Sequence, residues 1–275
     1  MTPDGDFQRL LQRYHATPGR TAAILQAWTD DAGRTSYEVL AERMHGLARD
    51  ARVLDLGCGD GFLLQMLAER GFLHLVGVDT SREELDAARE RLGSTAQLHC
   101  QDARAIGFPD HSIDVVVSHM ALMLMPSVPS VLTEVARVLV PGGRFIAIIN
   151  RALRDPAYEV YRQALYRITA DSGIEPIQLD EPRVFTVEGL SELLKGASFA
   201  DKELVDFRIR IHDTPSEVWS RLRMMYDVYR LPESAQLAME RQALDGWRPL
   251  SDDSGQLTCA LGMRLIDGRS AGRES

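Results

Sequence analysis

The sequence predicts an α/β protein built on a doubly wound parallel sheet, and three observations carry that prediction. Between Arg52 and Asn150, short apolar runs alternate with amphipathic segments, the rhythm of βαβ units. Several of the runs are apolar on both faces, as strands covered by helices on either side must be. The first of them, Val53-Leu54-Asp55-Leu56, leads directly into Gly57-Cys58-Gly59-Asp60-Gly61 before a helical segment opens near Phe62. That order of strand, glycine turn and helix places a nucleotide-like ligand at the carboxyl end of the first strand.

Taken in order, residues up to about Asp50 read as helices. Tyr37, Leu40, Met44 and Leu47 share one helical face, and Gly33 with its polar neighbours breaks the region in two. Val53 to Leu56, Leu73 to Val78, Gln97 to Cys100, Ile113 to Val117 and Phe145 to Ile149 are the strand candidates. Ser81 with Glu84 forms a capping-box signature ahead of Leu85, Ala88 and Leu92. Val128, Val131, Leu132, Val135, Val138 and Leu139 form an apolar stripe stopped by Pro141-Gly142-Gly143.

After Asn150 the rhythm is lost. Arg151 to Gly196 reads as mainly helical, with loops at Ser172-Gly173 and around Pro176 and Pro182. Val205, Phe207, Ile209 and Ile211 alternate with polar residues, as do the apolar residues from Leu257 to Leu265, and both runs have the period of a strand. Between them Thr214-Pro215-Ser216-Glu217 opens a helix. The chain therefore divides into an N-terminal helical lid (1–50), a ligand-binding core (51–150), helical cap insertions (151–199 and 213–255), closing antiparallel strands (200–212 and 256–266) and a frayed tail (267–275).

Bulk properties limit the partners. The 275 residues are 45% hydrophobic and 26% charged, with a formal net charge of -9, ordinary for a globular protein and unfavourable for phosphate backbones. No apolar run is long enough to cross a bilayer, and Met1 to Arg13 lacks the apolar stretch of a secretory signal. Cys58, Cys100 and Cys259 have no paired metal-ligand spacing and read as small buried thiols in a reducing, cytoplasmic setting.

The glycine spacing separates candidate ligands. A dinucleotide fingerprint has the form G-x-G-x-x-G, whereas here the third glycine, Gly61, comes one position early. Asp79, ending Val76-Gly77-Val78-Asp79, is placed to accept both ribose hydroxyls of any adenosine cofactor.

Together with these blocks, Gln101-Asp102-Ala103, the run from Phe108-Pro109-Asp110 through Ser118-His119, and Val138 to Phe145 follow in order. In that ordered series the chain resembles the class I S-adenosylmethionine-dependent methyltransferases, in particular those similar to ubiquinone/menaquinone-biosynthesis and other small-molecule methyltransferases. The resemblance covers Arg52 to about Asn150. It implies a Rossmann-like, seven-stranded, mostly parallel sheet with an antiparallel last strand, and S-adenosylmethionine as cofactor, released as S-adenosylhomocysteine.

Carried over by position, the resemblance has Gly57, Cys58 and Gly59 lining the methionine part and ribose. Asp55 would orient the amino end, Asp79 with Thr80 the ribose, and Asp102 the adenine amino group, with Ala103 offering its backbone N–H to the ring. Ser118 and His119 would lie near the transferring methyl, with Tyr37 closing the cofactor side. His119 is the candidate general base.

The position after the fourth strand reads Ser118-His119-Met120-Ala121, without the Asn-Pro-Pro-aromatic block of amide and base-amine methyltransferases and without metal-binding carboxylates, so no metal is expected. Histidines frequent in small-molecule relatives are replaced by Met123 and Leu124. The expected acceptor is a small organic molecule in an apolar pocket drawing on Met120, Met123, Tyr158, Tyr161 and Trp219. A protein or RNA acceptor, a nicotinamide dehydrogenase and a non-catalytic cofactor-binding protein are the competing readings.

Overall fold

The computed structural model describes residues 3–271. Three helices come first, α1 (Pro3–His15), α2 (Arg20–Leu25) and α3 (Ser36–Glu42). The core follows as β1 (Arg52–Leu56), α4 (Phe62–Glu69), β2 (His74–Asp79), α5 (Arg82–Leu92), β3 (Ala96–Cys100), β4 (Ile113–His119), α6 (Val128–Val138) and β5 (Leu139–Arg151). The remainder is α7 (Pro156–Asp171), α8 (Val187–Gly196), β6 (Phe199–Asp213), α9 (Pro215–Leu222), α10 (Tyr226–Tyr229), α11 (Glu233–Trp247) and β7 (Leu257–Ser270).

The seven strands form one sheet in the order β3-β2-β1-β4-β5-β7-β6. The first five pair in parallel, while β7 runs antiparallel to both β5 and β6. The sheet is thus Rossmann-like and mostly parallel with an antiparallel last strand, as expected. Strand order reverses between β1 and β4, opening a crevice at their carboxyl ends.

Two apolar layers flank the sheet, and alternation along each strand decides which layer a residue joins. Val53, Val115, Val117, Ile146 and Ile148 pack on the side of α3, α4, α5, α7 and α11. Leu54, Leu56, Val116, Phe145, Ala147 and Ile149 pack on the side of α6 and α8.

Several boundaries depart from the sequence reading. The α6 helix ends at Val138, before Pro141-Gly142-Gly143. The N–H groups of His111 and Ser112 donate to the carbonyls of Arg137 and Val138, and Leu139 already pairs with Ile113. The Pro-Gly-Gly segment is absorbed in a register shift within β5. Leu73, expected to open the second strand, is 67% exposed outside it.

Asp267 to Ser270, expected as the start of a frayed tail, belong to β7, because Asp267, Arg269 and Ser270 pair with Glu203, Ala200 and Phe199. A polar strand holds there because its backbone groups, not its side chains, make the ladder. Residues 272–275 of that expected tail lie outside the described residues. Cys100 is exposed, since it ends the edge strand β3, while Cys58 and Cys259 are buried free thiols.

The start of α3 and the turn before it are tied down. Thr35 and Glu38 form a reciprocal capping box on α3. Asp30 accepts from the N–H groups of Ala32 and Arg34 around the left-handed Gly33, and Thr29 exchanges backbone hydrogen bonds with Arg210 on β6 at 3.0 and 2.7 Å. No helix among the described residues is long and apolar enough to cross a membrane.

Candidate functional site

The glycine turn after β1 is shaped by close approach. Gly57 has φ +74°, and a Cβ there would stand 2.4 Å from the Cβ of Ala121. Only a residue without a side chain fits both that torsion and that gap. Gly57 and Cys58 donate their N–H groups to the carbonyl of Val78 at 2.8 and 3.1 Å, which fixes the turn against the end of β2. Gly59, at φ +51°, donates to Asp79 Oδ2 at 2.9 Å. Asp79 Oδ1 accepts from Ser81 N–H, also at 2.9 Å, so two backbone donors hold this carboxylate while lone pairs remain on both oxygens.

Beneath the turn lies a group of carboxylates. Asp55 is 2% exposed, its Oδ1 has no hydrogen-bond partner, and burial together with the charges of Asp79 and Asp60 raises its pKa well above the usual carboxylate range. Asp60 is paired with Arg91 at 2.5 Å. The side chain of Ser81 caps α5 by accepting from Glu84 N–H, yet the Glu84 side chain does not complete the box. It is drawn instead to His15 Nδ1 at 2.8 Å and Gly19 N–H at 3.0 Å, latching the connection between α1 and α2 over the site.

Farther along the edge, Asp102 is gripped by Arg104 through Nε at 2.9 Å and Nη2 at 2.6 Å. The guanidinium and its hydrogen bonds hold the Asp102 pKa below its ordinary value. Ala103 is buried beside it.

His119, at the end of β4, is buried, stacked on Tyr37 with ring centroids 3.8 Å apart, and shares a hydrogen bond between Nε2 and Ser36 Oγ at 2.9 Å. Its Nδ1 is buried without a partner, and burial pushes its pKa down to about 3. An imidazole so poorly able to hold a proton is a weak base.

These groups line one cavity of about 710 Å³ at the carboxyl ends of the parallel strands, within the range that encloses small ligands. The structure brings together Asp55, Gly57, Cys58, Gly59, Asp79, Thr80, Asp102, Ala103, His119, Tyr37, Met120, Met123 and Tyr158. It leaves out three residues expected there. Ser118 is buried one residue short of the crevice, its hydroxyl donating to the Leu56 carbonyl at 2.8 Å. Tyr161 turns into the core, with its hydroxyl 3.9 Å from Met225 Sδ. Trp219 lies on the core face of α9. For the last two, helical spacing made a packing stripe and not a pocket wall.

Of the expected N-terminal lid sequence reasoning named only Tyr37, and it missed Gln12, Tyr14 and His15 of α1 and Gly19 at the amino cap of α2. It also missed Asn150, Met225, Tyr226 and Asp227. Asn150 carried a legible signal, a polar residue directly after the apolar run Phe145 to Ile149. Its Oδ1 is buried and unpartnered. Seven carboxylates line the cavity (Asp55, Asp60, Asp79, Glu83, Glu84, Asp102 and Asp227) against three arginines, so the cavity is acidic and favours cationic ligands. Among the described residues no group of three or more His, Cys, Asp or Glu is arranged to hold a metal ion.

Comparison with known proteins bears on the same segment. A methyltransferase domain family matches residues 54–147. The chain is 34% identical over 156 residues to a phosphatidylethanolamine N-methyltransferase of Cereibacter sphaeroides, covering 52% of this chain and 75% of that one. It is 33% identical over 192 residues to EEF1A lysine methyltransferase 4 of Mus musculus, covering 62% and 74%. Against several further curated relatives it spans less than half their length. The fold is shared with a Haemonchus contortus phosphoethanolamine N-methyltransferase 2 solved with phosphomonomethylethanolamine and S-adenosylhomocysteine, at TM-score 0.55 and 17% identity over 86% of this chain and 52% of that one.

Proposed function

Because the chain belongs to the class I S-adenosylmethionine-dependent methyltransferases, we propose that the acceptor of its methyl group is a small organic molecule held in the cavity beside the glycine turn. One observation carries this reading. The crevice at the strand ends and the space under α1, α2 and α10 form a single cavity of about 710 Å³, walled on the acceptor side by Tyr158, Met225 and Tyr226.

The residues present fit the cofactor. Asp55 Oδ1 is a buried acceptor lacking a donor, suited to an amino group, and Asp79 keeps acceptor capacity for ribose hydroxyls. Asp102 serves the adenine amino group by exchanging part of its pairing with Arg104, and Ala103 supplies a backbone N–H. The Gly57 to Gly59 backbone gives the close approach that a side chain would block.

When bound, the cofactor supplies a methyl already activated by its sulfonium. The chain's own work is then alignment and exclusion of water, and holding two reactants in line lowers the barrier by several kcal/mol. In this reading His119 stacks on Tyr37 as part of the wall and does not serve as the base.

The test is incubation of the purified protein with methyl-labelled S-adenosylmethionine and separate small-metabolite, protein and RNA fractions, read by mass spectrometry. Label in low-mass products is expected. Label confined to protein or RNA would replace the small-acceptor reading.

A further inference from the structure

The acceptor end of the cavity carries one charged group that nothing in the fold uses. Asp227, on α10, lines the cavity next to Met225 and Tyr226. Among the described residues no hydrogen bond or ion pair engages its carboxylate. Arg230, at the carboxyl cap of the same short helix, moderates its charge but spends Nη1 on the Glu175 carbonyl at 2.6 Å. Of the cavity wall, Arg151, Arg104 and His15 are committed. Arg151 pairs with Asp206 at 3.1 Å, Arg104 with Asp102, and His15 with Glu84. Arg82 stands at the start of α5, on the ribose side.

Tyr14, Tyr158 and Tyr226 line the same cavity as this carboxylate. Tyr226 of α10 and Tyr158 and Tyr161 of α7 have hydroxyls whose pKa is raised, first by burial and then by the Asp227 charge, while for Tyr14 of α1 burial dominates and Arg20 and Glu84 weigh more than Asp227. Tyr14 and Tyr226 meet edge to face at 6.2 Å, and Tyr158 stacks on Tyr161 at 5.5 Å. The Arg20 guanidinium already covers the Tyr14 and Tyr229 rings at 5.2 and 4.5 Å, so Tyr158 and Tyr226 are the rings left for a ligand. Asn150 adds a buried, unpartnered Oδ1 in the same cavity. On the cavity wall itself Asp227 and Asn150 Oδ1 are uncommitted acceptors, while the unpartnered donors nearby, Arg20 Nε and Arg230 Nε, belong to residues outside the lining.

We infer that the acceptor carries a positively charged nitrogen, and that Asp227 with Tyr158 and Tyr226 forms the subsite that selects it. A carboxylate beside aromatic faces attracts an ammonium both by charge and by the ring quadrupoles. Asp227 is partly exposed, and that surface adjoins the cavity. Burial still pushes its pKa up to about 6, which leaves it mostly ionised at neutral pH and short of a partner. Asp227 here determines specificity, and the transferred methyl does not pass through it. The inference rests on the small-acceptor reading above.

The test is calorimetry on the full chain saturated with S-adenosylhomocysteine, using butylammonium, 2-phenylethylammonium and trimethyl(2-phenylethyl)ammonium, each against a neutral isostere such as 2-phenylethanol. At least one ammonium should bind tenfold or more tightly than its isostere. Asp227→Asn should remove that preference and leave S-adenosylhomocysteine affinity within twofold, and Asp227→Glu should restore part of it. No preference in the wild-type protein, which requires no variant to fold, overturns the inference. So does a preference that survives in Asp227→Asn. Methyl transfer to neutral acceptors, unaffected by Asp227→Asn, would overturn the cation subsite and leave the methyltransferase reading standing. Failure to bind S-adenosylhomocysteine at all would strike that reading itself.

Discussion

The two halves of the cavity are built in different ways. The half proposed for the cofactor comes from short contiguous segments at the ends of adjacent parallel strands, and its contacts are largely backbone, such as Gly57 and Cys58 on the Val78 carbonyl and Gly59 on Asp79. The half proposed for the acceptor is assembled from α1, α2, α7, α10 and β7, segments separated by up to the length of the chain. Backbone geometry tolerates little substitution, whereas side chains on helices can be exchanged. The first half is therefore constrained by the fold and the second is free to set specificity.

The largest expected effect falls on the cofactor half. Gly57→Val puts a branched side chain at φ +74° against Ala121 and should cost about 2–4 kcal/mol of stability, with cofactor binding lost. Thermal melting and S-adenosylhomocysteine calorimetry read both. Retained binding would mean that the turn is softer than the contrast between the halves requires.

His119 gives the next effect, read against pH. Its pKa falls from 6.5 free to about 3 folded, so the stability owed to the neutral imidazole is complete above pH 6.5 and is lost as pH falls toward 3. Relative to His119→Gln, the wild-type protein should lose about 2–3 kcal/mol between pH 7 and pH 4 in denaturant titrations. Turnover of His119→Ala should drop by less than about tenfold, and a larger loss with cofactor affinity intact would restore the general-base role.

Asp227 supplies the matching measurement in the acceptor half, with the opposite sign. Its folded pKa of about 6 lies above the ordinary 3.8, so its favourable contribution is present below pH 3.8 and is lost as pH rises through 6. Asp227→Asn should therefore stabilise the protein by about 2 kcal/mol at pH 7.5, a gain that shrinks toward pH 4. An unchanged melting temperature at both pH values would mean that the carboxylate is already compensated.

The smallest effect sharpens the contrast through opposing signs at one residue. Asp55→Asn removes a buried, unpartnered charge and should stabilise the ligand-free protein by roughly 1 kcal/mol. It should also weaken S-adenosylhomocysteine binding about tenfold. Loss of both stability and affinity would make Asp55 a structural residue.

What the sequence determined by itself was local. The strand and helix order, the glycine turn, and Asp55, Asp79, Asp102 and His119 at successive strand ends were legible because each depends on a short stretch of chain. The apolar period gave the two layers for the same reason, and the ordered blocks gave the family. Tertiary structure decided what depends on contacts between distant segments. It sent Tyr161 and Trp219 to the core, extended β7 through polar residues by pairing them with β6, and drew Glu84 from its own capping box to His15 and Gly19. It also set Asn150, Met225 and Asp227 into the cavity wall. Helical periodicity gives the face on which a residue lies, but not what that face meets. A subsite made where several helices converge is fixed only when they pack.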